Sequence, residues 1–211
     1  RIKRFLKQRT EMLAGVSHDL RTPLTRMKLQ ISLMKDEKAK SELEVDVNEM
    51  TSMLDSYVSF VKTESPEPIE TIIINELIGD IVKTVEKNGV ELTIKEKNTI
   101  QTSGRQIQLK RAFNNIIDNS QRYAKKIEII LYTNEKDCVI EFNDDGEGIP
   151  RDKYEDVFKP FFTLDPSRNK LKGESGLGLT ITRDIIRSHG GDVKLSDSNL
   201  GGLQLKVLLP L

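Results

Sequence analysis

The sequence predicts an α+β molecule in two parts: an N-terminal antiparallel helical hairpin, then an α/β domain whose mixed sheet is covered on one side by helices. Three observations lead there. Apolar residues recur at helical spacing from Leu13 to Val61. The run TESPEPIE, residues 63–70, breaks that period with prolines and acids and reads as a linker. From there to Leu211 strand-like runs alternate with two-faced helices, the pattern of a layered unit. The expected boundaries are 1–64 for the hairpin, 65–68 for the linker and 69–211 for the second domain.

In the first segment Leu13, Val16, Leu20, Leu24, Met27, Ile31 and Met34 are spaced by three and four, a helical stripe. Polar KDEKAKSE interrupts it, and Leu43, Val47, Met50, Leu54, Tyr57 and Val61 repeat it. A first helix from about Arg4 to Lys35 would be roughly 48 Å long at 1.5 Å per residue. A lone hairpin of that length has no third element to cover its seam. The stripe therefore predicts a homodimer, most simply a four-helix bundle made with the hairpin of a second copy.

Beyond the linker, TIIIN reads as a strand, and Asn75 is placed to cap the helix ELIGDIVKTVEK. VELTIKE reads as a strand and Arg105–Ala124 as a helix. KIEIILYT and CVIEFND form two strands about the turn NEKD. A loop rich in Gly, Pro and Phe leads to the helix GLGLTITRDIIRSHGG, closed by Gly190, and the strands DVKLSDS and GGLQLKVLLPL end the chain.

Composition narrows the functions. Lys plus Arg and Asp plus Glu are 33 each, so no overall field draws the chain to nucleic acid. The single Cys138 excludes an internal disulfide and any multi-cysteine metal site, which fits a reducing compartment. There is no run of 18 apolar residues, so no membrane contact is expected from this segment. It starts without Met on the basic RIKRFLKQR, in mid-pattern, and reads as a soluble piece of something larger.

One histidine stands out in GVSHDLRTPLTR. At 100° per residue His18 lies about 200° from Val16, off the apolar stripe and outward. Asp19 puts a carboxylate beside it, and Thr22 shares its face one turn on. Pro23 removes an intrahelical hydrogen bond and crowds the carbonyl of Asp19, a defect that costs about 3 kcal/mol in a helix interior and should bend it there. A neutral imidazole, with an unperturbed pKa near 6.5, is a nucleophile at neutral pH. An adjacent acid can orient one ring nitrogen or take its proton while the other attacks phosphorus.

Downstream, NNIIDNSQRYA sets Asn115 and Asn119 on one helix face, with Arg122 and Tyr123 a turn further on and Phe113, Ile116 and Ile117 opposite. Amide oxygens can complete a magnesium shell otherwise made of phosphate and water. In NDDGEGIP, Gly146 and Gly148 let backbone approach a ligand closely. A carboxylate such as Asp144 suits an N–H donor and repels phosphate. GESGLGLTI runs a glycine-rich turn into a helix, whose free N–H groups and partial positive charge suit phosphates. It is not a P-loop, because the lysine of that motif is missing.

These boxes, in this order, resemble the sensor histidine kinases of two-component systems over nearly the whole chain, and RTEMLAGVSHDLRTPLTRMKL is most similar to the EnvZ osmosensor type. The resemblance implies an ATP-binding sandwich of the histidine kinase, gyrase and heat-shock ATPase type. It implies a protein-histidine kinase that phosphorylates His18 from Mg2+-ATP and passes the phosphoryl group to an aspartate of a response-regulator receiver domain. Asp19 would assist, and Thr22 would support dephosphorylation of the regulator. Asn119 would be the magnesium ligand with Asn115 supporting it, Arg122 would approach phosphate and Tyr123 the base or sugar. Asp144 would accept from the adenine amino group. Gly146, Gly148, Ile149, Phe158, Arg168, Ser175, Gly176, Leu177, Gly178 and Leu179 complete the implied nucleotide site, with Arg168 in a lid over the phosphates and Phe158 also a core candidate. His189 is assigned no chemistry; at a helix C-terminus a cation there is mildly favourable.

Three positions depart from the family pattern. Glu174 stands where a glycine usually opens the second glycine box, Ser120 replaces an alanine, and Thr163–Leu164 replace a basic-plus-small pair. Two other functions fit parts of the sequence. One is an ATPase of the related superfamily, which needs a general base where this chain has Asn115. The other is a non-catalytic scaffold that binds a receiver domain. The resemblance also makes the chain the cytoplasmic portion of a bacterial inner-membrane receptor anchored upstream of Arg1.

Overall fold

The structure, a computed structural model, describes residues 19–61, 67–85, 90–164 and 176–211. The chain divides into two units, Arg1–Pro66 with Phe161–Leu177, and Glu67–Pro160 with Gly178–Leu211.

In the first unit, helix α1 occupies 19–32 among the described residues and runs through Pro23 without a break in its assignment. A short turn leads to α2 (Glu37–Val61). Asp36 starts the second helix: its Oδ1 accepts from the backbone N–H groups of Lys38 and Ala39, at 3.1 and 3.2 Å. That is the N-cap geometry, in which a short acidic side chain satisfies donors the helix cannot. Leu24, Ile31 and Val47 form the buried seam, with Met27, Met34 and Leu54 packed against it. The rest of the apolar pattern is left uncovered: Leu20, Leu43 and Met50 of the stripe are 47%, 41% and 51% exposed.

The described ends of segment 161–177 meet each other. Phe161 donates its N–H to the Gly176 carbonyl at 3.1 Å. A Cβ on Gly176 would lie 2.9 Å from the Phe161 backbone, and Gly176 has φ +62°, so glycine is required there twice over. Phe161 itself has φ +63°, which costs a non-glycine residue roughly 1–2 kcal/mol.

The second unit is built on a five-stranded sheet in the order β2-β4-β5-β7-β6, beside a two-stranded sheet of β1 and β3. The strands are β1 (Glu70–Ile73), β2 (Glu91–Glu96), β3 (Gln101–Gly104), β4 (Lys126–Thr133), β5 (Asp137–Asp144), β6 (Asp192–Asp197) and β7 (Leu203–Pro210). β2 runs parallel to β4, and the remaining neighbours are antiparallel. Helices α3 (Ile74–Val85), α4 (Gln106–Tyr123) and α5 (Gly178–Ser188) complete the unit.

Alternation along the strands decides which face the core takes. Ile127, Ile129 and Leu131 of β4, Phe142 of β5, and Leu205 and Val207 of β7 are buried together with Leu109, Phe113, Ile116 and Ile117 of α4. Each such side chain contributes about 1.5–3 kcal/mol by leaving water. Several of the intervening strand residues are polar and bond across strands. Glu141 accepts from the Tyr132 hydroxyl at 2.8 Å and pairs with Lys206 at 2.7 Å, and Ser196, Gln204 and Asn143 form a relay over three strands.

One expected cap is corrected. α3 begins at Ile74, so Asn75 lies inside the helix. Its Oδ1 accepts from Ile100 N–H at 2.7 Å and its Nδ2 donates to the Asn98 carbonyl at 3.2 Å, tying α3 to the loop before β3. A long-range partner outcompetes the local one. The last helix likewise starts later than expected, at Gly178 instead of Gly176, because Gly176 holds a left-handed φ that no helix admits. Gly190 does end it, at φ +77° with its N–H on the Arg187 carbonyl.

Candidate functional site

Helix α4 positions the asparagines, and its N-terminus is held from both ends of the sequence. Arg105 is the N-cap residue and makes no side-chain cap bond. Glu67 supplies the cap instead, accepting from Ile107 N–H through Oε1 and from Gln108 N–H at 3.3 Å through Oε2. His189 takes the Arg105 N–H on Nε2 at 3.0 Å, and its Nδ1 lies 2.7 Å from the Ile185 carbonyl. A carbonyl only accepts, so Nδ1 carries the proton and Nε2 is the bare acceptor. Burial lowers the His189 pKa below its usual value. The expectation of a favoured cation at this helix C-terminus is therefore wrong: the ring works as a neutral bridge. Gly104 makes room for it, since a Cβ there would sit 2.9 Å from the ring Cδ2.

The core face of α4 fixes the other face. With Phe113, Ile116 and Ile117 buried, Asn115 and Asn119 come to the opposite side, each half-buried. Asn115 donates Nδ2 to the Gly178 carbonyl at 3.3 Å, joining α4 to the first residue of α5. Thr182 strengthens that junction, its hydroxyl reaching the carbonyls of Gly178 at 2.9 Å and Ala112 at 3.3 Å. With its nitrogen so engaged, Asn115 keeps its amide oxygen as an acceptor. Among the described residues no group of three or more His, Cys, Asp and Glu side chains gathers to hold a metal. The residues present fit a cation that arrives with phosphates and rests on amide oxygens.

At the end of β5, Asp144 is 5% exposed and heavily coordinated. Its Oδ1 accepts from Gly146 N–H at 3.0 Å and Leu203 N–H at 2.9 Å, and its Oδ2 accepts from the Ser120 hydroxyl at 3.3 Å. Gly146 passes close under α4, where a Cβ would come 3.0 Å from the Tyr123 carbonyl. Gly148 has φ +70°, the left-handed turn that glycine allows. The neighbouring Asp145 holds β4 in place, its Oδ1 accepting from Lys125 and Lys126 N–H at 2.8 Å each. Those bonds hold its carboxyl below the usual range.

Of the residues expected in the site, the second unit carries Asn115, Asn119, Arg122 and Tyr123 on α4, Asp144, Gly146, Gly148 and Ile149 at the end of β5 and in the turn after it, and Gly178 and Leu179 at the start of α5. Arg122 and Tyr123 are exposed, and Ile149 is half-buried. Phe158 is buried, with the Arg183 guanidinium 4.5 Å over its ring, and Thr180 donates to its carbonyl at 3.0 Å. Gly176 and Leu177 close segment 161–177, and Leu177 is buried. Asp19 and Thr22 are exposed on α1. His18, Arg168, Glu174 and Ser175 lie outside the described residues.

Sequence reasoning missed Gly202. Its N–H donates to the Asp144 carbonyl, and a Cβ on it would collide with Asp144 Oδ1 and the Gly146 nitrogen. The paired glycines 201–202 before β7 were the available signal. Glu67, a linker residue, and Ser120, noted only as replacing an alanine, were also given no role.

The sequence matches known families over both of its parts. Residues 104–211 match the family described as histidine kinase-, DNA gyrase B- and HSP90-like ATPase, and residues 8–65 match the His kinase A phosphoacceptor domain. The chain belongs to the sensor histidine kinases. Sensor histidine kinase GtrS of Pseudomonas aeruginosa is 32% identical over 100% of this chain and 44% of its own length, and sensor histidine kinase CpxA of Escherichia coli is 31% identical over 100% and 49%. The chain thus spans about half the length of the curated relatives it matches. Among solved structures, the mycobacterial sensor histidine kinase MprB shares the fold at TM-score 0.60 and 24% identity, over 68% of this chain and 97% of that one. Full-length ShkA in complex with AMPPNP gives TM-score 0.71 at 16% identity, over 95% of this chain and 46% of that one. The matched residues 104–211 thus form an ATPase domain of this type and include α4, β5 and α5.

Proposed function

We propose that the chain is the catalytic core of a sensor kinase that phosphorylates His18 from Mg2+-ATP and passes the phosphoryl group to an aspartate of a response-regulator receiver domain. What supports the reading most is the pairing on one ligand surface of a carboxylate that accepts, Asp144, with an amide pair one helix away, Asn115 and Asn119. The carboxylate suits the amino group of adenine. The amides suit a magnesium ion shared with phosphate, with Asn119 as ligand and Asn115 as its support. Arg122 and the start of α5 add positive potential for the phosphates.

In the transfer, one ring nitrogen of His18 forms a bond to the γ-phosphorus as the bond to the ADP oxygen breaks, and Asp19 takes the proton from the other nitrogen. Positioning and charge neutralisation supply most of the rate. Transfer of the phosphoryl group to the regulator regenerates His18, and Thr22 orients water for dephosphorylation of the regulator. Hydrolysis as the main activity is disfavoured, since Asn115 cannot serve as a base and its nitrogen is held by Gly178.

The exposed apolar residues of the hairpin support a homodimer built through 1–64, with 65–68 as linker and 69–211 as the nucleotide domain. Among the described residues no helix is long and apolar enough to cross a membrane. The relatives' lengths support a larger receptor, with this segment as the cytoplasmic portion of a bacterial inner-membrane protein. Magnesium-dependent ATP binding by the purified chain tests the site. Asn119→Ala should lose it by more than tenfold and leave the dimer intact, whereas unchanged binding would remove Asn119 from the metal. Thr22→Ala should keep autophosphorylation and lose most regulator dephosphorylation; an unchanged phosphatase rate would exclude Thr22.

A further inference from the structure

Several helical hydroxyls among the described residues bond within their own helix, whereas Thr180, which donates to the Phe158 carbonyl, and Ser120 reach outside it. Thr25, Thr51, Thr84 and Thr182 each donate to the carbonyl four residues back, the usual local resort of such side chains. Ser120, 5% exposed in the last turns of α4, donates instead to Asp144 Oδ2, 24 residues along the chain. A buried hydroxyl with so near an alternative has a reason to reach elsewhere.

The count of acceptor sites supplies it. A carboxylate offers about four lone-pair positions. Gly146 and Leu203 N–H groups occupy both on Oδ1, and the Ser120 hydroxyl occupies one on Oδ2. Among the described residues one position remains, on the same oxygen that Ser120 holds. We propose that Ser120 is a specificity-determining residue, fixing the Asp144 carboxylate so that a single acceptor site is left for the exocyclic amino group of adenine. This rests on the nucleotide reading above. The selectivity follows from the donor pattern. A 6-amino base presents N–H to the vacant position. A 6-oxo base presents an oxygen to an oxygen, and a base bare at position 6 presents no partner. Without the hydroxyl, Oδ2 has two open positions and no fixed direction, and solvent competes for the second.

The test compares ADP, IDP and purine riboside 5′-diphosphate, which lacks any group at position 6, by equilibrium binding to the intact chain and to Ser120→Ala. In the wild type ADP should bind tightest. In Ser120→Ala, ADP should weaken by about three- to tenfold, the worth of a hydrogen bond net of solvent, while purine riboside diphosphate stays within about twofold. A merely structural role would weaken both ligands together, which overturns the proposal, as does ADP binding that is unchanged or tighter. Should Ser120→Ala fail to fold, Ser120→Cys keeps the volume with a poorer donor and must show the same selective loss. A wild-type chain that binds all three ligands alike would refute the Asp144 reading itself, and one that binds none would refute the nucleotide site; neither depends on Ser120.

Discussion

At residue 202 a single methyl group would disturb the carboxylate proposed to accept from adenine. It would fall on the Asp144 carboxylate and on the backbone nitrogen of Gly146. Gly202→Ala should weaken ADP at least tenfold and destabilise the second unit by about 1–3 kcal/mol, as overpacking does, read by ligand titration and chemical denaturation. Gly79 is the opposite case, a mid-helix glycine whose added Cβ meets nothing within 4 Å. Gly79→Ala should raise stability by about 0.5–1 kcal/mol and leave nucleotide binding alone. His189 adds a pH signature. Its folded pKa is lowered, chiefly by burial, from an ordinary 6.5. The stability it contributes is therefore complete above pH 6.5 and lost as pH falls through its folded value. Between pH 7 and 5 the thermal midpoint should fall more steeply for the wild type than for His189→Gln, which retains a donor and an acceptor without a charge. The sequence made Asp144 legible because D-x-G-x-G puts acid and glycines side by side. It hid Asn75, Ser120 and His189, whose partners lie many residues away.

Among the elements, α4 carries the asparagines proposed for the site, and its beginning is secured by a residue that no helix-start pattern would select. Glu67 lies 40 residues before Ile107, outside any local capping box. Glu67→Ala should cost about 0.5–2 kcal/mol, the usual worth of an N-cap, and hydrogen exchange should rise first at Ile107 and Gln108. Exchange unchanged at those amides would show that the carboxylate is dispensable. The remaining elements were readable because their periods were clean. Strands β4 and β7 alternate buried with less buried residues, β5 is buried along most of its length, and α4 keeps one apolar face. The boundaries of α3 and α5 were less legible, because a long-range amide pair and a left-handed glycine shifted them.

For the whole molecule, the apolar stripe was visible in the sequence, and the described hairpin covers only part of it. Leu43 and Met50 remain exposed while Val47, on the same helix, is buried. Sedimentation should give twice the chain mass, and Leu43→Glu with Met50→Glu should give monomers whose ADP binding is unchanged; a wild-type monomer would remove the bundle from the account. The chemistry at the phosphoacceptor was legible only through resemblance, since an outward imidazole beside an acid has many uses. The most direct measurement gives the chain ATP labelled at the γ-phosphate and follows the label through acid and alkali. The account predicts acid-labile, alkali-stable label on the wild type and none on a folded, dimeric His18→Ala. Label that persists without His18, or free phosphate released with no labelled protein, would contradict it.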